Sequence, residues 1–219
     1  MNFDLLYADD HILILHKPAG LLSVPGRGEE KQDSLSARVQ ARYPDALIVH
    51  RLDRDTSGLL VMARGIDAQR SLNRAFAERR VHKRYQAVVD GILSAPPVGT
   101  EGGESWNIIH LPIHLDWPNR PLRIIDAAHG KPSTTRWRVL AHLDGPAPAT
   151  RVELEPVTGR SHQLRVHLKA LGHPILGDTL YAPPQAQARA ERLLLHAFEL
   201  AFEHPVSGEA LRFESPVPF

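Results

Sequence analysis

The 219-residue sequence predicts an α+β protein built on a mixed, mostly antiparallel sheet flanked by helices and loops. Two observations carry this. Apolar residues fall in short runs separated by polar or Gly/Pro-rich segments, which is strand spacing. The few helical periodicities do not alternate with those runs as a doubly wound sheet requires. No internal repeat is present.

Ile12-Leu13-Ile14-Leu15 is too short for a free-standing helix and is stopped by Lys17-Pro18-Ala19-Gly20, so it predicts a buried strand entering a turn. Asp33 is expected to cap a short helix over residues 34–42. Leu47-Ile48-Val49 and Leu59-Leu60-Val61-Met62 predict two strands around the polar segment 50–58, which places that segment in a loop at strand ends, where functional groups concentrate. Asp67 is expected to cap a helix running to about residue 79, with Leu72 and Phe76 on one face and arginines on the others. A strand through Tyr85-Gln86-Ala87-Val88-Val89 follows.

Residues 94–105 are rich in Pro and Gly and predict a surface insertion, and Gly145-Pro146-Ala147-Pro148 predicts a second exposed turn. Neither has the composition of an interdomain linker, so residues 1–219 are expected to form a single domain. Residues 137–140 and 151–154 predict further strands. Ser161 is then expected to cap a helix carrying Leu164, Leu168 and Leu171 on one face, with Gly172 at its end. Residues 197–202 and 210–213 predict the last two strands.

Composition narrows the chemistry. Without cysteine there are no disulfides, thiolate zinc sites, iron–sulfur clusters or cysteine nucleophiles. No apolar run approaches bilayer length and residues 1–4 lack the character of a secretory signal, so no membrane role and a cytoplasmic location are expected. A net charge of +1 does not by itself attract phosphate, but its distribution is uneven. Seven basic residues (Arg64, Arg70, Arg74, Arg79, Arg80, Lys83, Arg84) face only Asp67 and Glu78 in the same stretch, whereas residues 191–214 run acidic. Such a stretch reads either as a solvated helix face or as a nucleic-acid footprint.

The densest polar segment is His50-Arg51-Leu52-Asp53-Arg54-Asp55-Thr56-Ser57-Gly58. A carboxylate between two arginines is biased towards its ionised form and can serve as nucleophile, base or partner of a developing cation. A salt-bridged turn is the bland alternative. Asp53 and Asp55 also admit a glycosidase reading, although i, i+2 spacing in a loop does not establish the geometry that two carboxylates across a sugar need. In Thr158-Gly159-Arg160-Ser161-His162-Gln163-Leu164-Arg165-Val166-His167, a cap at Ser161 puts Arg165 one turn into the helix, as a positioned charge partner or an ordinary surface arginine. Thirteen histidines raise the question of metal, but their spacing matches no zinc site and none is expected.

These residues carry a resemblance. His50-Arg51-Leu52-Asp53 followed by Thr56-Ser57-Gly58 resembles the catalytic motif of the RluA family of pseudouridine synthases, and further matches extend through most of the chain. They are Lys17-Pro18-Ala19-Gly20, Lys83-Arg84-Tyr85, residues 158–167, Leu171-Gly172-His173-Pro174-Ile175-Leu176-Gly177-Asp178 and Arg192-Leu193-Leu194-Leu195-His196-Ala197. Residues 20–27 and Asp116-Trp117-Pro118-Asn119-Arg120-Pro121 resemble one member of that family, which acts on both large-subunit ribosomal RNA and transfer RNA. The chain begins almost at its first core strand, so the separate S4-like N-terminal domain of some relatives is not expected. Residues 94–105 look longer than the family's usual connection.

The resemblance implies a catalytic domain with a central RNA-binding cleft, a monomer that needs no cofactor, and a set of roles. Asp53 is the catalytic carboxylate, Arg165 its charge partner, and Tyr85 stacks on the flipped uracil and is a candidate for handling the C5 proton. Arg51 fills the space left by the flipped nucleotide, and Leu195 walls the base pocket. The basic helix, through Arg74, Arg79 and Arg80, supplies phosphate contacts that position RNA without reading its sequence. A catalytically silent RNA-binding protein using the same basic surface is the main rival, with a glycosidase or metal hydrolase behind it.

Overall fold

The computed structural model describes residues 3–94, 106–145 and 147–219. Most of the expected 94–105 insertion and Pro146 of the second turn lie outside the described residues. In chain order the elements are β1 (Asp4–Ala8), β2 (Ile12–Lys17), α1 (Leu35–Gln40), β3 (Ala46–Ile48), β4 (Ser57–Arg64), α2 (Ile66–Ala77) and β5 (His82–Asp90). They continue with β6 (Asn107–His110), β7 (Ile113–Leu115), β8 (Arg123–Ile125), β9 (Thr134–Leu143), β10 (Ala149–Pro156), α3 (Gln163–Ala170), α4 (Pro184–Gln187), β11 (Leu195–Glu203) and β12 (Ala210–Glu214). The class is α+β, as expected. The chain divides into two compact units, Met1–Lys83 with His196–Pro218, and Arg84–Leu195 with Phe219.

In the first unit β2 lies antiparallel to β1 and to β4, β3 also pairs antiparallel with β4, and β12 pairs antiparallel with β11. One parallel pair, β4 with β11, makes the sheet mixed. Residues 59–63 of β4 are buried throughout, which explains their unbroken apolar run: a strand covered on both faces has no polar side to show. Leu59, Val61 and Ala63 pack with Ile12, Ile14 and the Ala68, Leu72 and Ala75 face of α2.

In the second unit β5, β10, β9 and β6 form a continuous antiparallel run, and β7 with β8 makes a separate two-stranded sheet. One face of the run carries Ala87, Val89, Trp137, Val152 and Leu154, onto which α3 presses Leu164 and Leu168. Leu171, expected on that apolar face, is instead exposed at the C-terminal end of α3.

The helix ends correct three expected caps. Asp33 does not cap α1. It grips Arg38 through Nε at 2.7 Å and Nη2 at 2.6 Å, and Ser34 is the N-cap, accepting from the Ala37 N–H at 3.3 Å. Asp67 sits in the first turn of α2, behind Gly65 at the cap position. Ser161 is likewise one residue early. His162 is the N-cap of α3 in a left-handed conformation, with no side-chain cap bond. Helix α2 also stops at Ala77, so Arg79 and Arg80 lie beyond it, in the turn that ends it.

Candidate active site

Asp53 lies half-buried in the loop between β3 and β4, and both its neighbours are anchored on residues 17–23. The buried ammonium of Lys17 donates to the carbonyls of Pro18 (2.8 Å), Leu21 (2.7 Å) and Arg54 (2.8 Å). The Arg54 carbonyl also accepts the Gly20 N–H at 2.9 Å, and the Arg54 Nε returns a bond to the Gly20 carbonyl at 3.1 Å. On the other side the Ser23 hydroxyl donates to the Leu52 carbonyl at 2.7 Å and accepts from the Leu52 N–H at 3.1 Å. A turn closes the loop, the Thr56 N–H donating to the Asp53 carbonyl at 3.2 Å. The backbone on either side of Asp53 is thus anchored through Leu52 and Arg54. Arg51 is exposed.

The flanks of the motif are structural. His50 Nε2 accepts the Val61 N–H at 3.0 Å and its ring stacks on Phe76, while burial and then the Lys83 ammonium push its pKa down to about 3. It is a neutral imidazole. Ser57 shares a 2.7 Å hydrogen bond with His196 Nδ1, and His196 Nε2 meets the Ser215 hydroxyl at 3.2 Å, all buried. Gly58 stands opposite Ala197 in the parallel pair at φ +117°, where a Cβ would come within 2.2 Å of the Ala197 carbonyl oxygen. The Ser57-Gly58 part of the motif therefore locks β4 to β11.

In the second unit Tyr85 stands on β5 opposite Leu154 and packs, partly buried, on the cluster that contains Leu154, Leu164 and Leu195. Tyr85 and the buried Leu195 thus belong to one apolar surface. Helix α3 is seated by a satisfied polar network: Gln163 Oε1 accepts from the Thr158 hydroxyl (2.8 Å) and the Arg160 N–H (3.1 Å), while its Nε2 donates to the Thr134 carbonyl and the Thr135 hydroxyl, both at 3.0 Å. His167 continues it, Nδ1 to the Thr135 hydroxyl at 2.9 Å and Nε2 to the Leu111 carbonyl at 3.0 Å; burial lowers its pKa.

That seating buries Arg165, which is no surface arginine. Its Nε and Nη2 donate to the two oxygens of Asp178 at 2.8 and 2.6 Å, and its guanidinium carbon lies 5.0 Å from the centroid of the Tyr181 ring. Asp178 ends one of the matching segments, yet sequence reasoning assigns it no role. Its partner lies thirteen residues away, across the end of α3 and a turn, a separation with no signature in sequence.

The basic stretch is more locally paired than its composition suggests. Arg64 meets Asp45 (3.0 Å), Arg70 meets Asp67 (3.4 Å), Arg80 meets Glu78 (2.7 Å) and Arg84 meets Glu153 (3.3 Å). Arg74 and Arg79 are exposed. Among the described residues no group of three His, Asp or Glu side chains converges to hold a metal ion, and no helix is long and apolar enough to cross a membrane.

Comparison with known proteins identifies the family. Residues 11–170, a span that contains Asp53, Tyr85 and Arg165, match the family described as RNA pseudouridylate synthase, and the chain belongs to that family, whose members are isomerases of RNA uridine. Within it the chain is of the RluA type. It is 50% identical over 216 residues to the dual-specificity RNA pseudouridine synthase RluA of Escherichia coli strain K12, covering 98% of this chain and 93% of that one. It is 48% identical over 216 residues to the protein of the same description from Pasteurella multocida strain Pm70, covering 99% and 94%. Among solved structures, human RNA pseudouridylate synthase domain containing 1 superposes with a TM-score of 0.78 at 33% identity, covering all of this chain and 84% of that one.

Proposed function

We propose that this RNA pseudouridine synthase acts on stem-loops of large-subunit ribosomal RNA and transfer RNA, with Asp53 as its catalytic carboxylate. The anchoring of Leu52 and Arg54 on either side of Asp53 carries the assignment, because a group that must meet one sugar carbon needs its backbone fixed before substrate arrives. The dual specificity named for the Escherichia coli and Pasteurella multocida relatives supports the two RNA classes.

Pseudouridine formation breaks the N1–C1′ bond, turns the detached uracil, joins C5 to C1′ and moves the C5 proton to solvent while N1 gains one. Atoms balance with no change of oxidation state, so the reaction needs no redox cofactor. Asp53 acts at the sugar, either by attacking C1′ or by removing a ribose proton to give a glycal. Arg165 is its charge partner. Tyr85 and Leu195, sharing one apolar surface, hold the freed uracil while it turns. The target base is extruded at a cost of about a few kcal/mol, which Arg51 offsets by taking its place in the stack. Arg74, Arg79 and Arg80 contribute phosphate contacts, which act on any RNA sequence. In this reading residues 1–219 work as one catalytic domain, monomeric and cytoplasmic.

The test is proton release from C5-tritiated uridine in ribosomal and transfer RNA stem-loops, by the full chain and by Asp53→Asn. The wild-type chain is expected to release label from both, and the variant from neither, with RNA affinity kept within about tenfold. Appreciable turnover by Asp53→Asn would show that the nucleophile is misassigned. Release from one RNA class alone would remove the dual specificity and leave the mechanism.

A further inference from the structure

We infer that the tip of the β7–β8 hairpin binds one unpaired nucleotide of the RNA, Trp117 stacking on its base and Arg120 taking an adjacent phosphate. This rests on the reading above that the chain acts on RNA.

Of the three tryptophans, Trp106 and Trp137 are buried, whereas Trp117 is 60% exposed. One exposed apolar side chain is ordinary on a protein surface. Trp117 differs because it is presented rigidly and together with a charge. The Arg120 guanidinium carbon lies 4.8 Å from the Trp117 ring centroid, and Arg120 Nε donates to the Trp117 carbonyl at 3.1 Å. Among the described residues no carboxylate pairs with Arg120, and no second ring or cation stacks on Trp117, so one indole face and the terminal guanidinium nitrogens stay available. Asp116 is spent on the turn itself: its Oδ1 accepts the Asn119 N–H at 3.3 Å and Nδ2 at 3.1 Å, and its Oδ2 lies 3.0 Å from the same Nδ2. The Asp116 N–H on the Leu122 carbonyl (3.1 Å) and the Leu122 N–H on the Asn119 carbonyl (3.0 Å) close the tip. Beneath it Ile113, Leu122 and Ile125 pack with Val166 and Tyr181, whose hydroxyl accepts the Arg123 N–H at 3.0 Å.

An open indole face is a platform for any base, because every base has a π-face, and a guanidinium beside it meets the phosphate that the same nucleotide carries. A base inside a duplex already has both faces stacked, so the platform selects an unpaired one. Stacking on Trp117 and the bond to its carbonyl hold the arginine before RNA arrives, which lowers the ordering cost that a long side chain otherwise brings to binding. The same pairing disfavours an apolar protein partner. A surface that covered the indole would also take the Arg120 guanidinium out of water with no acceptor for it, and an unpaired buried charge is costly. A nucleotide offers the flat ring and the anion together.

The experiment follows tryptophan emission and RNA affinity in the full chain carrying Asp53→Asn, with the ribosomal and transfer RNA stem-loops and with a plain duplex of the same stem. The stem-loops should quench the emission and shield it from acrylamide, and the duplex should do neither. Trp117→Phe should abolish the quenching while keeping affinity within about threefold, since a phenyl ring still stacks, and Trp117→Ala should weaken binding about tenfold or more. Loop nucleotides are then made abasic one at a time. At one position the abasic RNA should lose as much affinity as Trp117→Ala does, and the two changes together should lose no more than either alone. Arg120→Met should weaken binding and reduce the slope of log K on log salt by about 0.7, one phosphate on a single strand. Emission unmoved by stem-loops that bind, affinity within about threefold for Trp117→Ala, or losses that multiply at every abasic position overturns the inference, and an unchanged salt slope for Arg120→Met overturns its phosphate contact. The wild-type chain is run beside the variants. If it neither binds the stem-loops nor releases label from them, the reading of the chain as acting on RNA has failed and this inference with it. If it does both while Trp117→Ala binds as tightly, only the role of the hairpin is lost.

Discussion

The ammonium of Lys17 donates to the carbonyl of Arg54 at 2.8 Å, one residue beyond Asp53 and thirty-seven from Lys17 itself. The same nitrogen holds Pro18 and Leu21, so one buried charge organises two loops. Lys17→Met leaves three inward-facing carbonyls without this donor. Urea unfolding should show a loss of about 2–4 kcal/mol, as expected for buried acceptors left unpaired. Lys17→Arg should not restore it, because a planar fork cannot fill a compact three-carbonyl cage. A loss below about 1 kcal/mol for Lys17→Met would mean that backbone bonds alone hold the loop.

Gly58→Ala and Gly20→Ala separate two reasons for glycine. Both positions have positive φ, +117° and +83°, but nothing lies within 4 Å of a Cβ at Gly20, whereas one at Gly58 meets the Ala197 backbone. Gly20→Ala should cost about 1–2 kcal/mol, the conformational cost alone. Gly58→Ala must push β11 away from β4, and thermal unfolding should show a loss above about 3 kcal/mol or no folded protein. Equal losses would show that close approach to Ala197 is not what demands glycine there.

Element identity was legible in the sequence wherever one physical cause dominated. The apolar run in β4 is visible because the strand is buried on both faces, and α3 shows Leu164 and Leu168 because one face seats it. β1, of which Leu6 and Tyr7 are exposed, shows no such run, and neither do the short strands β7 and β8. Each expected cap missed because a competitor within a residue or two took the position. Asp33 has a better partner in Arg38, and the Gln163 side chain, bonding back to Arg160 and Thr158, sets the start of α3. The loop around Asp53 was legible as a motif, but what its neighbours do was not. Ser57, Gly58 and His50 read only as parts of that motif, and their partners, His196, Ala197 and Phe76, come near only once the sheet has formed.

His50 gives the fold an acid-sensitive contribution. Its folded pKa of about 3 lies below its ordinary value of 6.5, from burial first and the Lys83 ammonium second. Between these values the unfolded chain binds a proton that the folded chain refuses, so the stability His50 confers is complete above pH 6.5 and is lost as pH falls towards 3. His50→Gln retains an acceptor for the Val61 N–H without the titration. Unfolding free energies from urea titrations across this range should fall less steeply for the variant, by at most about 1.4 kcal/mol per pH unit. Parallel curves would show that His50 is protonated in the folded protein.

The arginines beyond α2 allow phosphate binding to be tested apart from folding. Arg79 ends the helix at φ 60°, with its own N–H on the Phe76 carbonyl (3.2 Å) and that of Arg80 on the Ala75 carbonyl (2.8 Å), a turn that glycine adopts more readily. Arg79→Gly therefore deletes a charge while easing the backbone, and should leave stability unchanged or raised. Arg80 is held by Glu78 at 2.7 Å and lies 3.6 Å from Glu203, so part of its field is already answered. Replacing Arg74, Arg79 and Arg80 together by Ala should weaken binding to all RNA sequences alike. It should also flatten the dependence of log K on log salt, by about 0.7–0.9 for each phosphate that the protein no longer neutralises. Most of that change should already be present in Arg74→Ala combined with Arg79→Gly, because these two side chains are exposed and Arg80 is the one paired with carboxylates. A salt slope unchanged in the triple variant would mean that this face does not meet RNA. A slope that moves only when Arg80 is replaced would mean that RNA displaces Glu78 and Glu203 from it.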